Sequence, residues 1–269
     1  MIRRSILILA LVAALYMPSL AQMAVSGATG FHNVACIKVK PEKNSEFRAW
    51  AASDLHKYAQ SRVDSGALST WLLLRSVQPQ GASAQCDYLS ISMYPGAPNE
   101  PLTPEALDAA LKKAGLNVTG PQFVEKRDAL TTLISNSLFQ NRAFVGSMKK
   151  GQYFVVNYMK AANVEDWVAF EKKIWVPMAE ALVKDGMTAG WSLDVQVLPG
   201  GNDLKFQGVT VDVYPSWEAI WKPDPQFVER FRKAHPDMES GTTFEQFEKL
   251  RTMEAIQLFS AVDVVMPEK

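Results

Sequence analysis

The sequence predicts an α+β protein in which one βαββαβ unit is written twice. Three observations carry this: the chain aligns with itself without a gap, both copies repeat the same order of strand and helix patterns, and a short leader stands apart from both. Sliding the chain along itself by 191 − 71 = 120 residues puts Lys40 on Lys160, Ala49 on Ala169, Gly66 on Gly186 and Trp71 on Trp191. The register continues through Leu73 on Leu193, Pro79 on Pro199, Gly81 on Gly201 and Tyr94-Pro95 on Tyr214-Pro215. Tryptophan and turn residues rarely coincide by chance at one offset, so the repeat is a duplication.

The leader is read first because it is not part of the fold. Arg3 and Arg4 precede an apolar run from Ile6 to Tyr16, and Ser19-Leu20-Ala21 offers small residues before a cut ahead of Gln22. This pattern predicts a signal peptide over 1–21 and an exported chain, periplasmic or secreted. The first repeat is then expected over 22–148 and the second over 149–269. Removing the leader leaves 269 − 21 = 248 residues, with 28 − 2 = 26 basic against 28 acidic side chains. A near-neutral chain lacks the charge that holds a nucleic acid, and no further long apolar run predicts an integral membrane segment.

Each copy justifies the elements of the other. Val34 to Lys40 and Tyr153 to Lys160 are rich in β-branched and aromatic residues, which predicts a first strand. A helical stripe follows, with Phe47, Trp50, Leu55, Tyr58 and Val63 in one copy and Trp167, Phe170, Ile174, Met178 and Leu182 in the other. Asn163 is the expected N-cap, Gly66 and Gly186 the expected helix ends, and Pro177 is expected to kink or split the second helix near Trp175. Alternation around Trp71–Val77 and Trp191–Val197 predicts second strands, and Tyr88–Tyr94 and Gly208–Tyr214 predict third strands. Helices are expected from Thr103-Pro104-Glu105 to Gly115 and over Phe123–Ser135, with counterparts at Pro225–Ala234 and Phe244–Leu258. Last strands are expected near Phe139–Val145 and Phe259–Val265.

Strand, helix, strand, strand, helix, strand is the ferredoxin-like order, with an antiparallel sheet and helices on one face. The bare face needs a cover, and a tandem copy supplies one, so the two sheets are expected to pack face to face. On the repeat, and on Gly186 to Trp191 followed by Leu198-Pro199-Gly200-Gly201, the chain resembles the dimeric α/β-barrel superfamily in its fused form. That resemblance implies a fold more than a function. Its members include cofactor-free monooxygenases of polycyclic aromatics, haem-binding enzymes, and secreted bacterial proteins without an assigned activity, and the chain looks most like the last.

The residues exclude more chemistry than they propose. His32, His56 and His235 are the only histidines, and none falls on a strand position expected to face the barrel, so neither haem nor zinc is expected. Serine-hydrolase, Walker and dinucleotide glycine motifs are missing from the sequence. No cofactor is therefore expected.

The polar faces of the strands are expected to turn toward the space between the sheets. This makes Lys38, Tyr158, Lys160, Asp212 and Tyr214, with Tyr94 and the ring of Trp191, the candidate ligand-binding residues. The expected ligand is a small apolar or aromatic molecule. The alternatives are a cofactor-free, monooxygenase-like enzyme acting on an aromatic or quinone-like substrate, and a structural or interaction protein with a filled barrel. Cys36 and Cys86 are expected to be unpaired thiols, because a first strand antiparallel to the third would set them several residues apart along the ladder.

Overall fold

The computed structural model describes residues 30–98, 102–201 and 203–267. The expected leader lies outside them. The first half runs β1 (Phe31–Val39), α1 (Asn44–Trp50), a π-helical turn (Ala51–Leu55), α2 (His56–Asp64), β2 (Thr70–Gln78), β3 (Tyr88–Met93), α3 (Pro104–Lys113), α4 (Gly120–Leu130) and β4 (Thr131–Gly146). The second half runs β5 (Tyr153–Ala161), α5 (Val164–Lys184), β6 (Gly190–Leu198), β7 (Gly208–Tyr214), α6 (Trp217–Trp221), α7 (Phe227–Ala234), α8 (Ser240–Leu250) and β8 (Arg251–Val265). Among the described residues no helix is long and apolar enough to cross a membrane.

The strands form one closed antiparallel barrel in the order β1-β3-β2-β8-β5-β7-β6-β4. Each half contributes the ferredoxin-like order 4-1-3-2, so the two-repeat architecture stands. The sheets meet edge to edge as well as face to face. Closure comes from the last strand of each half: β4 pairs with β1 over Thr131–Gln140 and with β6 over Leu138–Gly146. In the same way β8 pairs with β5 over Arg251–Ser260 and with β2 over Leu258–Val265. The sequence places only the far ends of these strands, because 131–135 and 251–258 also fit a helical stripe. The helices α4 and α8 stop at Leu130 and Leu250 instead.

Three apolar layers follow from strand alternation. Phe47, Trp50, Trp71, Leu73 and Phe123 pack the first half's helices onto its sheet. Trp167, Val168, Trp191 and Leu193 do so in the second, where Ile174, Phe231 and Phe247 extend the layer under α7 and α8. Cys36, Leu72, Leu74, Leu89, Phe154, Val209 and Phe259 fill the barrel side. Trp71 and Trp191 occupy matching places, opposite Ser92 and Asp212 of the neighbouring strand. Asn163 caps α5 by accepting from the Glu165 and Asp166 amides at 3.0 and 3.3 Å. Gly66 and Gly186 take the left-handed conformation (φ 73° and 69°) just beyond α2 and α5.

Three expectations are corrected. The helix α5 is not split near Trp175 but runs on through Pro177, and an irregular turn lies in the first half, at Ala51–Leu55. The 120-residue register holds from the helices onward but not in the first strands: Phe31 opens β1 and Tyr153 opens β5, an offset of 153 − 31 = 122. The connection from β1 to α1 is longer than that from β5 to α5, so Lys38, not Lys40, corresponds to Lys160. Lastly, Cys36 and Cys86 form a disulfide, with Cα atoms 5.2 Å apart. Cys36 lies opposite Leu89, and β3 begins only at Tyr88. Before it, the Asp87 amide donates to Ile37 O at 2.8 Å while its carboxylate accepts from the Val39 amide at 2.9 Å. The chain leaves the ladder there, and Cys86 turns back beside Cys36 among the barrel-side apolar residues.

The disulfide closes a loop of sequence separation 50. Removing it frees the unfolded chain and is expected to cost about 2–5 kcal/mol. A thiol count on the denatured, unreduced protein should return zero, and Cys36→Ser/Cys86→Ser should lower the denaturant midpoint.

Candidate functional site

The barrel is not filled. Its interior holds a cavity of about 450 Å³ walled by Leu72, Leu74, Leu89, Ile91, Val209 and Val211. The apolar faces of β3 and β7 therefore turn inward, and the polar faces turn toward the helices, the reverse of the expectation. Polar side chains find partners in the helix-facing layer: Trp71 Nε1 donates to Ser90 Oγ at 3.0 Å, and Asn157 Nδ2 donates to Asp212 Oδ2 at 3.0 Å. An enclosed barrel interior offers few such partners, and an unpaired polar group there is costly.

One patch of the wall is polar, where β1, β4 and β6 run side by side. His32 of β1, Asn141 of β4, and Ser192 and Asp194 of β6 all line the cavity. Asp194 is 5% exposed; its Oδ1 accepts from Asn141 Nδ2 and its Oδ2 from Ser192 Oγ, both at 2.7 Å. Asn141 Nδ2 also donates to Ala143 O at 3.0 Å, so both neighbours demand the amide nitrogen and the orientation of this side chain is settled. Its Oδ1 is buried without a hydrogen-bond partner. His32 stacks on Phe139 with ring centroids 5.6 Å apart, and its Nε2 lies 3.9 Å from Asp194 Oδ1. Burial lowers the His32 pKa, the nearby Asp194 carboxylate only partly opposing, so the imidazole is uncharged at neutral pH.

The arrangement offers a ligand an uncharged imidazole, an unsatisfied carbonyl oxygen and a fixed carboxylate at one end of an apolar space. Such a set can accept hydrogen bonds from a hydroxyl or amine and can take up a proton at His32. Among the described residues no group of three or more His, Cys, Asp or Glu side chains is placed to hold a metal ion.

Of the residues expected at the site, Tyr158 and Tyr94 border the cavity. Tyr158 donates to Gln257 Oε1 at 3.2 Å, and burial pushes its pKa up to about 12. The Tyr94 hydroxyl accepts from Asn33 Nδ2 at 2.7 Å. Lys38 is drawn to the strand end by Asp87, 3.0 Å away, and Lys160 is exposed. Trp191 is buried in the second helix-facing layer. Asp212 lies against Asn157, its pKa raised to about 6 by burial, and Tyr214 is raised to about 12 by burial and by Asp212.

Asn141, Ser192 and Asp194 escape the sequence reading, and His32, expected off the barrel-facing strand positions, instead lines the cavity because β1 begins at Phe31; yet the repeat holds the signal of all four. At the 120-residue offset Ser192 and Asp194 replace Leu72 and Leu74, and Asn141 faces Ala261; at 122, His32 faces Phe154. All four counterparts are buried barrel-side apolar residues. Polarity in one copy alone marks the site.

Comparison with solved structures agrees with this architecture. A presumed monooxygenase from Fusobacterium nucleatum matches at 11% identity with a TM-score of 0.55, covering 89% of this chain and 95% of that one. A presumed monooxygenase from Lactobacillus acidophilus matches at 12% identity with a TM-score of 0.51, covering 88% and 96%. The fold is the dimeric α/β barrel in its fused form. No protein-family model matches the chain, and no curated protein matches it. Identities this low carry the barrel and none of its chemistry.

Two predictions follow from the polar layers of this dimeric α/β barrel. Replacing Asp194 alone by Leu strands Asn141 and Ser192 and should cost about 2–4 kcal/mol, whereas Asn141→Ala/Ser192→Leu/Asp194→Leu, which copies the other half, should recover most of that loss in denaturant titrations. The second concerns Glu171 of α5, 1% exposed, which accepts from Trp167 Nε1 at 2.9 Å. Burial raises its pKa to about 7, and burial raises that of Asp212 to about 6. The folded state thus holds protons that the unfolded chain has already released, and stability falls as pH climbs from the unfolded values toward 7. Glu171→Gln should match the wild type near about pH 5 and be the more stable near about pH 8.

Proposed function

We propose that the protein binds a small, largely apolar molecule carrying a hydroxyl or similar donor inside its barrel, the donor meeting His32 and Asn141. The buried Asn141 Oδ1 carries this reading: an acceptor left without a partner at the edge of an apolar cavity is completed by a ligand's donor. A hydroxylated aromatic supplies both the apolar body and the donor. The Cys36–Cys86 disulfide supports export to an oxidising compartment, in keeping with the leader.

The uncharged His32 beside Asp194 favours one chemical extension. Proton removal from a hydroxylated aromatic by His32 yields an electron-rich anion in a dry cavity, held where molecular oxygen can react with it, with Asp194 stabilising the imidazolium formed. The presumed monooxygenases that share the fold lend this reading its direction.

Titrating the protein with 1-naphthol and with naphthalene tests the proposal. Saturable binding is expected, with a preference of about tenfold for the hydroxylated ring. Asn141→Ala/His32→Phe should lose the preference, and Val211→Phe, which fills the cavity, should weaken both. Equal binding of the two compounds by the wild type, or none, overturns it. An oxygen electrode then separates binding from turnover, and His32→Phe should abolish any substrate-dependent oxygen uptake.

A further inference from the structure

On the outer, helix-facing side of the barrel lies a second hollow, of about 400 Å³, at the seam where β2 meets β8. Arg48 from α1, Arg75 from β2 and Lys150 from the turn before β5 line it, together with Tyr88, His56 and Asp263. His56 Nδ1 lies 2.7 Å from Asp263 Oδ2, which joins a helix of the first half to the last strand of the second and leaves Nε2 free. The Gly151 amide donates to Ala261 O at 2.9 Å, holding the turn that carries Lys150 against β8. Among the described residues, the side chains of Arg48, Arg75 and Lys150 have no ion-pair or hydrogen-bond partner. Both guanidiniums are close enough to Tyr88 to oppose the rise that burial imposes on its pKa. The carboxylate felt by Tyr88, Asp87, is taken by Lys38 at 3.0 Å. Three cations against Asp263 leave two positive charges uncompensated around the hollow.

The second half shows that the fold does not need these charges. At the matching positions it has Val168 for Arg48, Val195 for Arg75, Val176 for His56, Ala143 for Asp263 and Gly208 for Tyr88. There Trp167 closes the space: a Cβ on Gly208 would meet its ring at 2.8 Å, and Trp167, Val168, Ala143, Val176 and Val195 pack as one apolar cluster. The same backbone thus holds a packed core at one seam and an open, positively charged hollow at the other. Gathering like charges without partners is unfavourable, and a bound anion offsets it.

We propose that this hollow is a binding site for a small oxyanion, a phosphate or carboxylate group, held by Arg48, Arg75 and Lys150 with the Tyr88 hydroxyl as a further donor. The site is separate from the barrel cavity and independent of what binds there.

Isothermal titration of the full chain at low ionic strength, with inorganic phosphate and with succinate, tests it. Saturable binding of one equivalent of at least one anion is expected, weakened at least about tenfold in Arg48→Gln/Arg75→Gln and also weakened in Lys150→Gln. Arg62→Gln removes an equal charge outside the hollow and should bind as the wild type does. Stronger binding of phosphate assigns a phosphate ligand, and of succinate a carboxylate. Binding of neither, or a loss in Arg62→Gln equal to that in the hollow variants, overturns the proposal. Arg48, Arg75 and Lys150 are exposed and Arg62 is half-buried, and unchanged far-ultraviolet circular dichroism will show the fold intact in each variant.

Discussion

The two long strands that end each half carry the architecture. β4 and β8 hydrogen-bond along both edges, first within their own sheet and then across to the other. Had they stopped after the first pairing, β2 and β6 would be unpaired edges open to other chains. By continuing, they close the wall and separate an inside that must be apolar or internally satisfied from an outside covered by helices. The placement of every functional side chain follows from that division.

Duplication gives two such seams, and their roles are exchanged. Where β4 meets β6, the inner face carries Asn141 opposite Asp194 and the outer face Ala143 opposite Leu193. Where β2 meets β8, the inner face carries Leu74 opposite Ala261 and the outer face Leu73 opposite Asp263. Each seam therefore keeps one face as packed core and gives the other to polar chemistry. Stability is shared in the same way: the apolar face of a seam supplies burial that offsets the desolvation of the polar groups across the same strands.

Much of this was legible in the sequence. Glycine and tryptophan at a constant offset disclosed the duplication, β-branched alternation disclosed most strands, and the helical stripes disclosed the helices. Local pattern did not decide how far β4 and β8 extend, because Leu133, Ile134, Met253 and Ile256 are exposed apolar residues that fit either period. It did not fix the register of β1, where the longer connection to α1 makes the Lys40–Lys160 identity coincidental. Nor did alternation say which face of a strand points inward, since both faces are buried in a helix-wrapped barrel. The disulfide depended on a departure from the ladder at Asp87, a tertiary detail. Asp194 and His32 are marked by differences between the copies rather than by identities, and His32 also depends on where β1 begins, which local pattern does not decide.

A wall of continuous backbone pairing also governs traffic. Parting two strands would break a run of hydrogen bonds together, so a molecule bound inside would have to pass through the barrel's end rather than its side. The cavity reaches that end among the segments flanking the strands, bordered by Ser69, Ser147, Met148 and Met266, the last 42% exposed. Methionine side chains are unbranched and change rotamer readily. Two thioether side chains on otherwise irregular chain thus stand at the open end, apart from the polar patch deeper in the wall. For a molecule held as proposed, passage and recognition would fall to separate residues.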